Sequence, residues 1–180
     1  MKIVIDGNIG SGKTTQLNLL EKAGFKVKRE PIEKWPLDLY YSDPERWGFL
    51  FQIIILQTLV PEKETTVYER SPISSRDVFW KAMKKTDLED QAYRKQFDIQ
   101  AWLPDLYILI DKTPEKCFDH VQNRKQEGDS QIPMDYLVEL DKNYKIMFDD
   151  LNCKKFIVNG NDTIENIHKN IVNILNNAQV

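Results

Sequence analysis

The sequence predicts an α/β domain in which helices cover both faces of a mostly parallel sheet. Short β-branched segments alternate with longer helical patterns, and such strands are joined by right-handed crossovers that set neighbouring strands parallel. Hydrophobic residues make up 41% of the chain and charged residues 29%, which is a globular rather than a disordered composition. Because 180 residues is an ordinary length for one hydrophobic core, we predict a single domain over residues 1–180.

Each predicted strand is a short run of apolar and β-branched residues. The strands are predicted at Lys2–Asp6, 26–30, Thr66–Glu69, Leu106–Asp111 and 155–159. Helical patterns lie between them at 13–23, 44–60, 74–85, 89–101, 114–126, 134–149 and 162–177. In sheets of this kind ligands bind beyond the carboxyl ends of the strands. The first three strands end in polar or charged residues, which we therefore expect to meet in one cleft.

The charge and the cysteines exclude several classes of protein. The formal net charge is −3, from 25 Lys and Arg against 28 Asp and Glu, which argues against a protein that coats nucleic acid or a membrane. Cys117 and Cys153 are too few for a disulfide framework and indicate free thiols in a reducing compartment. The longest aliphatic run, residues 53–56, is too short to span a bilayer, and a strand beginning at Lys2 leaves no room for a signal peptide. We expect a cytoplasmic protein.

One stretch matches a phosphate-binding loop at every position of the pattern G-x-x-x-x-G-K-[ST]. Its backbone N–H groups are expected to point at phosphate oxygens, Lys13 to reach the β- and γ-phosphates, and the Thr14 hydroxyl to bind Mg²⁺. The motif predicts binding of a nucleoside triphosphate and does not say how the nucleotide is used. The residues are Gly7, Asn8, Ile9, Gly10, Ser11, Gly12, Lys13 and Thr14, followed by Thr15.

Acidic and basic residues mark the ends of the second and third strands. Pro31 keeps Glu30 extended, so the Glu30 carboxylate is expected to project into the cleft. There it could accept the proton of a hydroxyl that attacks a γ-phosphoryl group, or it could be a solvated strand end. Glu69 could hold waters of the Mg²⁺ shell and Arg70 could bind an anion bidentately. If Arg70 contacts Glu30, it holds that base in place and ionised; a surface Glu–Arg pair is the alternative.

These motifs resemble those of the deoxyribonucleoside kinase family, which includes deoxycytidine, deoxyguanosine, mitochondrial thymidine and insect multisubstrate kinases. The resemblance covers nearly the whole chain, in residues 7–15, 30–35, 43–47, 51–52, 69–71 and 132–137. It implies a P-loop NTPase three-layer fold: a five-stranded, mostly parallel sheet flanked by helices, with a helical lid. It also implies a homodimer that, with Mg²⁺, transfers a phosphoryl group from ATP to the 5′-hydroxyl of a deoxyribonucleoside.

The resemblance also assigns roles to single residues. Glu30 matches the family's general base, Arg70 the residue that holds the 5′-hydroxyl and the base, and Glu69 a residue that helps to place Mg²⁺. Gln52 matches the glutamine that hydrogen-bonds the edge of the nucleobase. Without this resemblance it would be interpreted as a surface glutamine. Trp35 and Phe79 match aromatic residues that sandwich the base, although either could instead be a core residue. Tyr41 and Asp129 match groups that bind the 3′-hydroxyl of the sugar.

The lid and the base pocket depart from the family's pattern. The family carries an arginine-rich lid, whereas here Arg124 keeps one position and Gln126 replaces another. We expect Arg124 to stabilise the transferring phosphoryl group, since an arginine there contributes about 10³–10⁵ in rate. Leu59 and Ser75 stand where deoxycytidine kinases carry a charged Arg/Asp pair. This exchange favours thymidine, another pyrimidine or a broad range of bases.

Two other functions are compatible with the phosphate loop. A thymidylate-type nucleoside monophosphate kinase shares the sheet and the loop, but it needs cations for the acceptor phosphate and has less use for Glu30 as a base. A nucleotide-binding regulator without turnover is the other alternative. The intact set of Lys13, Thr14, Glu30, Glu69 and Arg70 argues against it.

Overall fold

The five strands form one sheet in the order β2-β3-β1-β4-β5. In a computed structural model, which describes residues 1–124 and 131–178, every pairing within this sheet is parallel. The predicted α/β class and five-stranded sheet are therefore confirmed. The strands are β1 (Lys2–Asp6), β2 (Val27–Lys28), β3 (Thr66–Glu69), β4 (Leu106–Asp111) and β5 (Lys154–Asn159).

The helices begin at residues that favour helix starts. Asp43 accepts a hydrogen bond from the Arg46 N–H ahead of Pro44, and Thr86 and Glu89 form a capping box. The helices are α1 (Lys13–Lys22), α2 (Leu37–Ser42), α3 (Pro44–Thr58), α4 (Pro72–Ser74), α5 (Asp87–Gln100), α6 (Pro114–Arg124), α7 (Met134–Asp150) and α8 (Ile164–Asn177), with a 3₁₀ turn at Ile32–Lys34 and a π-helical segment at Ser75–Trp80 that continues α4.

Two apolar layers cover the sheet, one on each face. Side chains alternate along β1, so Ile3 and Ile5 pack with residues of α1 and α8, whereas Val4 packs on the opposite face with residues of α3, α5 and α7. Burial on both faces is what a parallel sheet requires. The predicted three-layer fold is confirmed, and it brings the ends of β1, β2 and β3 to one edge.

Several predicted boundaries are wrong. Strand β2 covers Val27–Lys28 rather than 26–30, because it is an edge strand that pairs with β3 through two residues; strand β5 begins one residue earlier than predicted, at Lys154. Helix α4 starts at Pro72 rather than 74, and the helical stretch, which is π-helical over Ser75–Trp80, ends at residue 82 rather than 85. Helix α2 and the 3₁₀ turn were not predicted, since elements this short have too little periodicity to detect.

The sequence also predicts free cysteines and no segment long enough to span a membrane. Both cysteines are free, as predicted. Among the described residues, no helix combines the length and the apolar character needed to cross a membrane.

Gly10 joins the loop after β1 to helix α6. Its φ of +83° is a left-handed value, and a Cβ there would collide with the carbonyl oxygen of Cys117. Gly24, after α1, has a similar φ of +94°, but nothing lies within 4 Å of its Cβ position. Gly10 therefore combines a backbone requirement with a packing requirement, whereas Gly24 has the backbone requirement alone.

We expect Gly10→Ala to lower the free energy of unfolding more than Gly24→Ala. Gly24→Ala should cost about 1 kcal/mol for the left-handed backbone, and Gly10→Ala a further ~2 kcal/mol because α6 must shift. Urea titrations followed by circular dichroism measure both. Equal losses in the two variants would contradict the close packing of α6 against Gly10.

Candidate active site

A cavity of about 900 Å³ lies beyond the carboxyl ends of β1, β2 and β3. It brings together almost all of the residues predicted for the site: Ile9, Gly10, Gly12, Lys13, Thr14, Thr15, Glu30, Trp35, Tyr41, Gln52, Glu69, Arg70, Phe79 and Arg124 line it. Gly7, Asn8 and Ser11 belong to the same loop but do not line the cavity; Asn8 and Ser11 are buried. Asp129 lies outside the described residues, as do positions 125–128 of the lid predicted at 120–129.

The loop between β1 and α1 curls around the ammonium group of Lys13. Lys13 Nζ donates hydrogen bonds to the carbonyl oxygens of Gly7 and Asn8, both at 2.9 Å. Burial of this side chain, together with the nearby charge of Arg70, lowers the pKa of Lys13 to about 8. Lys13 is therefore a poorly solvated cation that an incoming anion would stabilise.

Helix α7 also holds the loop in place, through a hydrogen bond to Asn8. Asn8 Nδ2 donates to the carbonyl oxygen of Leu137 at 2.8 Å, and Asn8 Oδ1 accepts from the N–H of Ile9. The side chain of Asn8 is thus used to hold the loop in shape. This explains why Asn8 does not line the cavity.

Thr14 and Glu69 place two oxygen atoms side by side at the cavity wall. The Thr14 hydroxyl donates to Glu69 Oε1 at 2.7 Å, and Glu69 is buried at the end of β3. Mg²⁺ prefers oxygen ligands and commonly uses only one or two protein groups beside phosphates and waters. The pair fits such a site, and no group of three or more potential metal-ligating side chains occurs in the described part of the chain.

Arg70 follows Glu69 directly and points to a different partner. Its backbone is left-handed, with a φ of 62°, and its Nη1 contacts both carboxylate oxygens of Glu30, at 2.8 and 2.9 Å. The exposed fractions of the two side chains are 13% and 7%. The alternative of a surface pair is therefore wrong. The ring of Phe79 covers the guanidinium, 4.5 Å from its carbon.

Asp6 supplies a second carboxylate to Arg70, and no role was predicted for it. Asp6 is fully buried, and its Oδ1 lies 3.7 Å from Arg70 Nε. The same oxygen accepts hydrogen bonds from the Gly7 N–H at 2.8 Å and the Tyr144 hydroxyl at 2.7 Å. Its position as the charged last residue of a buried strand is the signal in the sequence that could have identified it.

Burial and the neighbouring positive charges act in opposite directions on the pKa of Glu30. Burial raises the pKa of Glu30 above its usual value, and the charges of Arg70 and Lys13 act in the opposite direction. A carboxylate in this setting is more basic than an exposed glutamate, yet a cation holds it in place. Such a group is suited to accept a proton from an acceptor hydroxyl.

The opposite end of the cavity is aromatic. Trp35 Nε1 donates to the Thr58 hydroxyl at 3.0 Å, and its ring meets Phe51 edge-on. Tyr40, for which no role was predicted, stacks on Phe51 with ring centroids 4.3 Å apart. Trp35 and Phe79 are half-buried and line the cavity, and Phe79 also packs against the core on this face of the sheet. These walls suit a flat aromatic ligand.

Gln52 lies within this aromatic end and is buried, so the alternative of a surface glutamine is wrong. Its Oε1 accepts a hydrogen bond from the Ser75 hydroxyl at 2.9 Å, and Ser75 Oγ lies 2.9 Å from the Tyr93 hydroxyl. Neither contact was predicted, because the π-helical turn that carries Ser75 has no simple sequence signature. Leu59 also lines this part of the cavity.

The parallel sheet, the loop that holds Lys13, and the cavity at the strand ends define a P-loop nucleotide-binding enzyme. The family model of the deoxynucleoside kinases matches residues 3–179. The chain therefore belongs to the deoxynucleoside kinase family and is a kinase.

Relatives of this chain carry several kinase names. It is 30% identical over 188 residues to the putative kinase protein 143R of Invertebrate iridescent virus 6, covering 97% of this chain and 96% of the relative. It is 29% identical over 160 residues to human mitochondrial thymidine kinase 2, covering 75% of this chain and 59% of that protein.

A solved structure shares the fold over almost its whole length. It is deoxyadenosine kinase from M. mycoides with the products dCMP and dCDP bound, with a TM-score of 0.89, 22% identity, and coverage of 99% of this chain and 100% of the other. At this identity the likeness concerns the fold alone.

The pKa of Lys13 leads to a prediction about nucleotide binding. At pH 8 about half of the Lys13 side chains should be neutral, since the pKa is about 8, and phosphate oxygens should restore the charge. We expect ATP binding at pH 8 to take up about half a proton per site. Calorimetry in buffers with different ionisation enthalpies measures this uptake.

Lys13→Arg is the matched control, because its guanidinium stays charged at pH 8. It should bind ATP without proton uptake. The same uptake in Lys13→Arg and the parent protein would assign the proton to another group.

Removing the charge of Asp6 should destabilise the protein. Asp6→Asn leaves Arg70 buried with one carboxylate, so we expect the free energy of unfolding to fall by about 3 kcal/mol. Tyr144→Phe removes one hydrogen bond to the same carboxylate and should cost about 1.5 kcal/mol. Urea titration distinguishes the two. A smaller loss for Asp6→Asn than for Tyr144→Phe would show that the hydrogen bond, rather than the charge, is what matters.

Proposed function

We propose that the cavity binds a deoxyribonucleoside together with ATP and Mg²⁺, and that Glu30 is the general base for transfer of the γ-phosphoryl group to the 5′-hydroxyl. The observation that carries this proposal is the buried, doubly hydrogen-bonded Glu30–Arg70 pair in the same cavity as Lys13. Phosphoryl transfer to a hydroxyl group requires a base and a phosphate-binding cation in the same cavity.

Glu30 receives the proton of the 5′-hydroxyl in this reaction. The 5′-oxygen forms a bond to the γ-phosphorus, the bond from that phosphorus to the β–γ bridging oxygen breaks, and ADP leaves. Burial makes Glu30 a stronger base than an exposed glutamate, while Arg70 keeps it oriented. Arg70 also has donor groups that can hold the 5′-oxygen, because a guanidinium carries five N–H bonds.

The phosphate end of the cavity is cationic. Lys13 exchanges its contacts with the loop carbonyls for phosphate oxygens, and Arg124 at the end of α6 stabilises the transferring group. Thr14 and Glu69 would hold Mg²⁺, which supplies positive charge to the phosphates when bound. Loss of Arg124 should therefore lower turnover more than nucleoside binding.

The aromatic end of the cavity takes the nucleoside. Trp35 and Phe79 provide stacking faces, Gln52 pairs with the base edge, and Tyr41 binds the sugar. Asp129, also predicted for the sugar, lies outside the described residues. The homodimer and the single-domain organisation stay predictions.

Thymidine, another pyrimidine or a range of bases remains our proposal for the substrate. It is supported by the uncharged side chains Leu59 and Ser75 in the cavity wall. The names of the relatives do not decide the base, since thymidine and deoxycytidine kinases match this chain at 29% and 26% identity.

A hydroxyl acceptor is favoured over a monophosphate acceptor. The ionised Glu30 carboxylate would repel an acceptor phosphate, and Arg70, which could attract one, is already paired with Glu30 and lies near Asp6. A thymidylate-type kinase would need an unengaged cation at this place.

A substrate panel tests the proposed function. Thymidine, the three other deoxynucleosides, their ribonucleoside counterparts and thymidine monophosphate are each supplied with ATP and Mg²⁺, and 5′-monophosphate formation is followed by chromatography. We expect at least one deoxynucleoside to be phosphorylated and thymidine monophosphate to be inert. Phosphorylation of thymidine monophosphate alone would establish the rival kinase.

Glu30→Gln tests the assignment of the base. We expect kcat to fall by about 10²–10⁴-fold, with the Kd of the nucleoside changed only a few-fold, because the amide keeps the shape but cannot take the proton. Glu33→Gln is the matched control, since Glu33 is exposed three residues away and does not line the cavity. Unchanged turnover in Glu30→Gln would remove Glu30 as the base.

A further inference from the structure

Asp6 is a buried carboxylate beside Arg70 that takes no direct part in the proposed reaction. It ends β1, is fully buried and does not line the cavity. Its Oδ1 lies 3.7 Å from Nε of Arg70, although Glu30 already pairs with this guanidinium at 2.8 and 2.9 Å. Burying a second carboxylate at the same cation is costly unless its charge is used. The position of Asp6 therefore needs an explanation.

The surroundings of Asp6 hold it in its ionised form. Its Oδ1 accepts hydrogen bonds from the Gly7 N–H at 2.8 Å and the Tyr144 hydroxyl at 2.7 Å, and such hydrogen bonds favour the charged carboxylate. Lys13 of α1 adds positive charge nearby, and Tyr107 of β4 also lies close. Burial and the charge of Asp6 raise the pKa of Tyr107 and of Tyr144 well above the usual value. Both phenols therefore stay neutral, and Asp6 carries a permanent negative charge.

Arg70 is one cation shared by two carboxylates. Burial opposes the charge of the guanidinium, but Glu30, Tyr144 and Asp6 raise the pKa of Arg70 well above its usual value, so Arg70 stays charged. With both carboxylates ionised, the two acids and the guanidinium together carry one net negative charge. When Glu30 takes up a proton, Arg70 and Asp6 remain as a neutral pair.

We propose that Asp6 is a positioning residue for phosphoryl transfer: as the permanent counter-charge of Arg70, it keeps Glu30 a strong base for the acceptor hydroxyl. This proposal rests on the proposed function, in which Glu30 is the base. The proton moves from the 5′-oxygen to a carboxylate oxygen of Glu30, and Arg70 then loses the negative charge with which it was paired. Because Asp6 keeps its own charge, no buried cation is left without compensation.

Removing the charge of Asp6 should make Glu30 a weaker base, because Arg70 would then act on Glu30 alone and favour its ionised form. One guanidinium contacts both carboxylates, so they lie on the order of 8 Å apart, and a unit charge at that distance changes a pKa by about one unit at an effective dielectric constant of about 20. The other charges that face Glu30 are Lys13 of α1 and Glu69 of β3. Neither is altered by a substitution at Asp6.

Asp6→Asn tests the proposal through the pKa of Glu30. This pKa is measured in the free protein by ¹³C NMR of labelled glutamate side chains from about pH 4 to pH 9, with Glu30→Gln assigning the resonance. The acidic limb of the pH profile of kcat/KM, with ATP, Mg²⁺ and the best deoxynucleoside of the panel, measures it independently. We expect both to move to lower pH by about one unit. The plateau of kcat should fall about threefold, since a weaker base transfers the proton less effectively.

Two further variants distinguish the charge of Asp6 from its structural role. Tyr144→Phe removes a hydrogen bond to the same carboxylate but keeps the charge, so the pKa of Glu30 should stay within about 0.3 units of the parent value. Asp6→Glu also keeps the charge and should retain the parent acidic limb. A purely structural defect would lower turnover at every pH without moving that limb to lower pH.

Asp111→Asn is the matched control for the change in net charge. Asp111 ends β4 as Asp6 ends β1, but it does not line the cavity and no ion pair joins it to Arg70 among the described residues. It should leave the pKa of Glu30 unchanged. Thermal melts establish that each variant is folded, and Asp6→Ser, which also removes the charge, decides the test if Asp6→Asn is not.

The NMR titration and the kinetics separate this proposal from the proposed function. A Glu30 pKa that falls in Asp6→Asn shows that Asp6 sets the basicity of Glu30 even if Glu30→Gln keeps full turnover, a result that would refute the proposed base instead. An active kinase whose Glu30 pKa and acidic limb are unchanged in a folded Asp6→Asn or Asp6→Ser variant, or shift equally in Asp111→Asn, would overturn the proposal for Asp6 and leave Glu30 as the base.

Discussion

The buried guanidinium of Arg70 is the group on which the arrangement of the cavity depends. An arginine without counter-charges in such a place would cost several kcal/mol, and two carboxylates compensate it: Glu30 at 2.8 Å and Asp6 at 3.7 Å. Asp6 ends β1, Arg70 follows β3, and Glu30 comes after β2. The charge therefore ties three strand ends together at the edge of the sheet where a ligand can enter.

Two adjacent residues at the end of β3 contact different partners in the cavity. Glu69 meets Thr14 of α1, whereas Arg70 meets Glu30. The left-handed backbone of Arg70 accompanies this change of direction, and such a conformation persists in a non-glycine residue only where its surroundings compensate the strain. Here the compensation comes from the two carboxylates and from the ring of Phe79. The backbone strain and the ion pair are thus parts of one arrangement that positions the base beside the phosphate loop.

Much of the fold and the site could be predicted from local sequence. The apolar runs of β1, β3 and β4 identify buried strands, whereas the end of the short edge strand β2 lies earlier than Pro31 indicated. The loop around Lys13 is recognisable because its glycines sit at fixed spacing. Helix α2 and the π-helical turn of Ser75 could not be predicted in this way, since one is too short to show periodicity and the other differs from an α-helix through tertiary contacts. One such contact is the hydrogen bond from Asn143 to the carbonyl oxygen of Val78.

The sequence by itself determined the order of strands and helices, the phosphate loop, and which residue types reach the ends of the first three strands, because periodicity, glycine and proline act through the local backbone. The tertiary structure decided the rest. Asp6 acquires a role only when β1 lies beside β3, and Gln52 accepts a hydrogen bond from Ser75, 23 residues away in the chain, because the π-helical segment packs against α3. These hydrogen bonds and ion pairs join residues that are distant in the chain and buried together by the fold, and no local pattern specifies that.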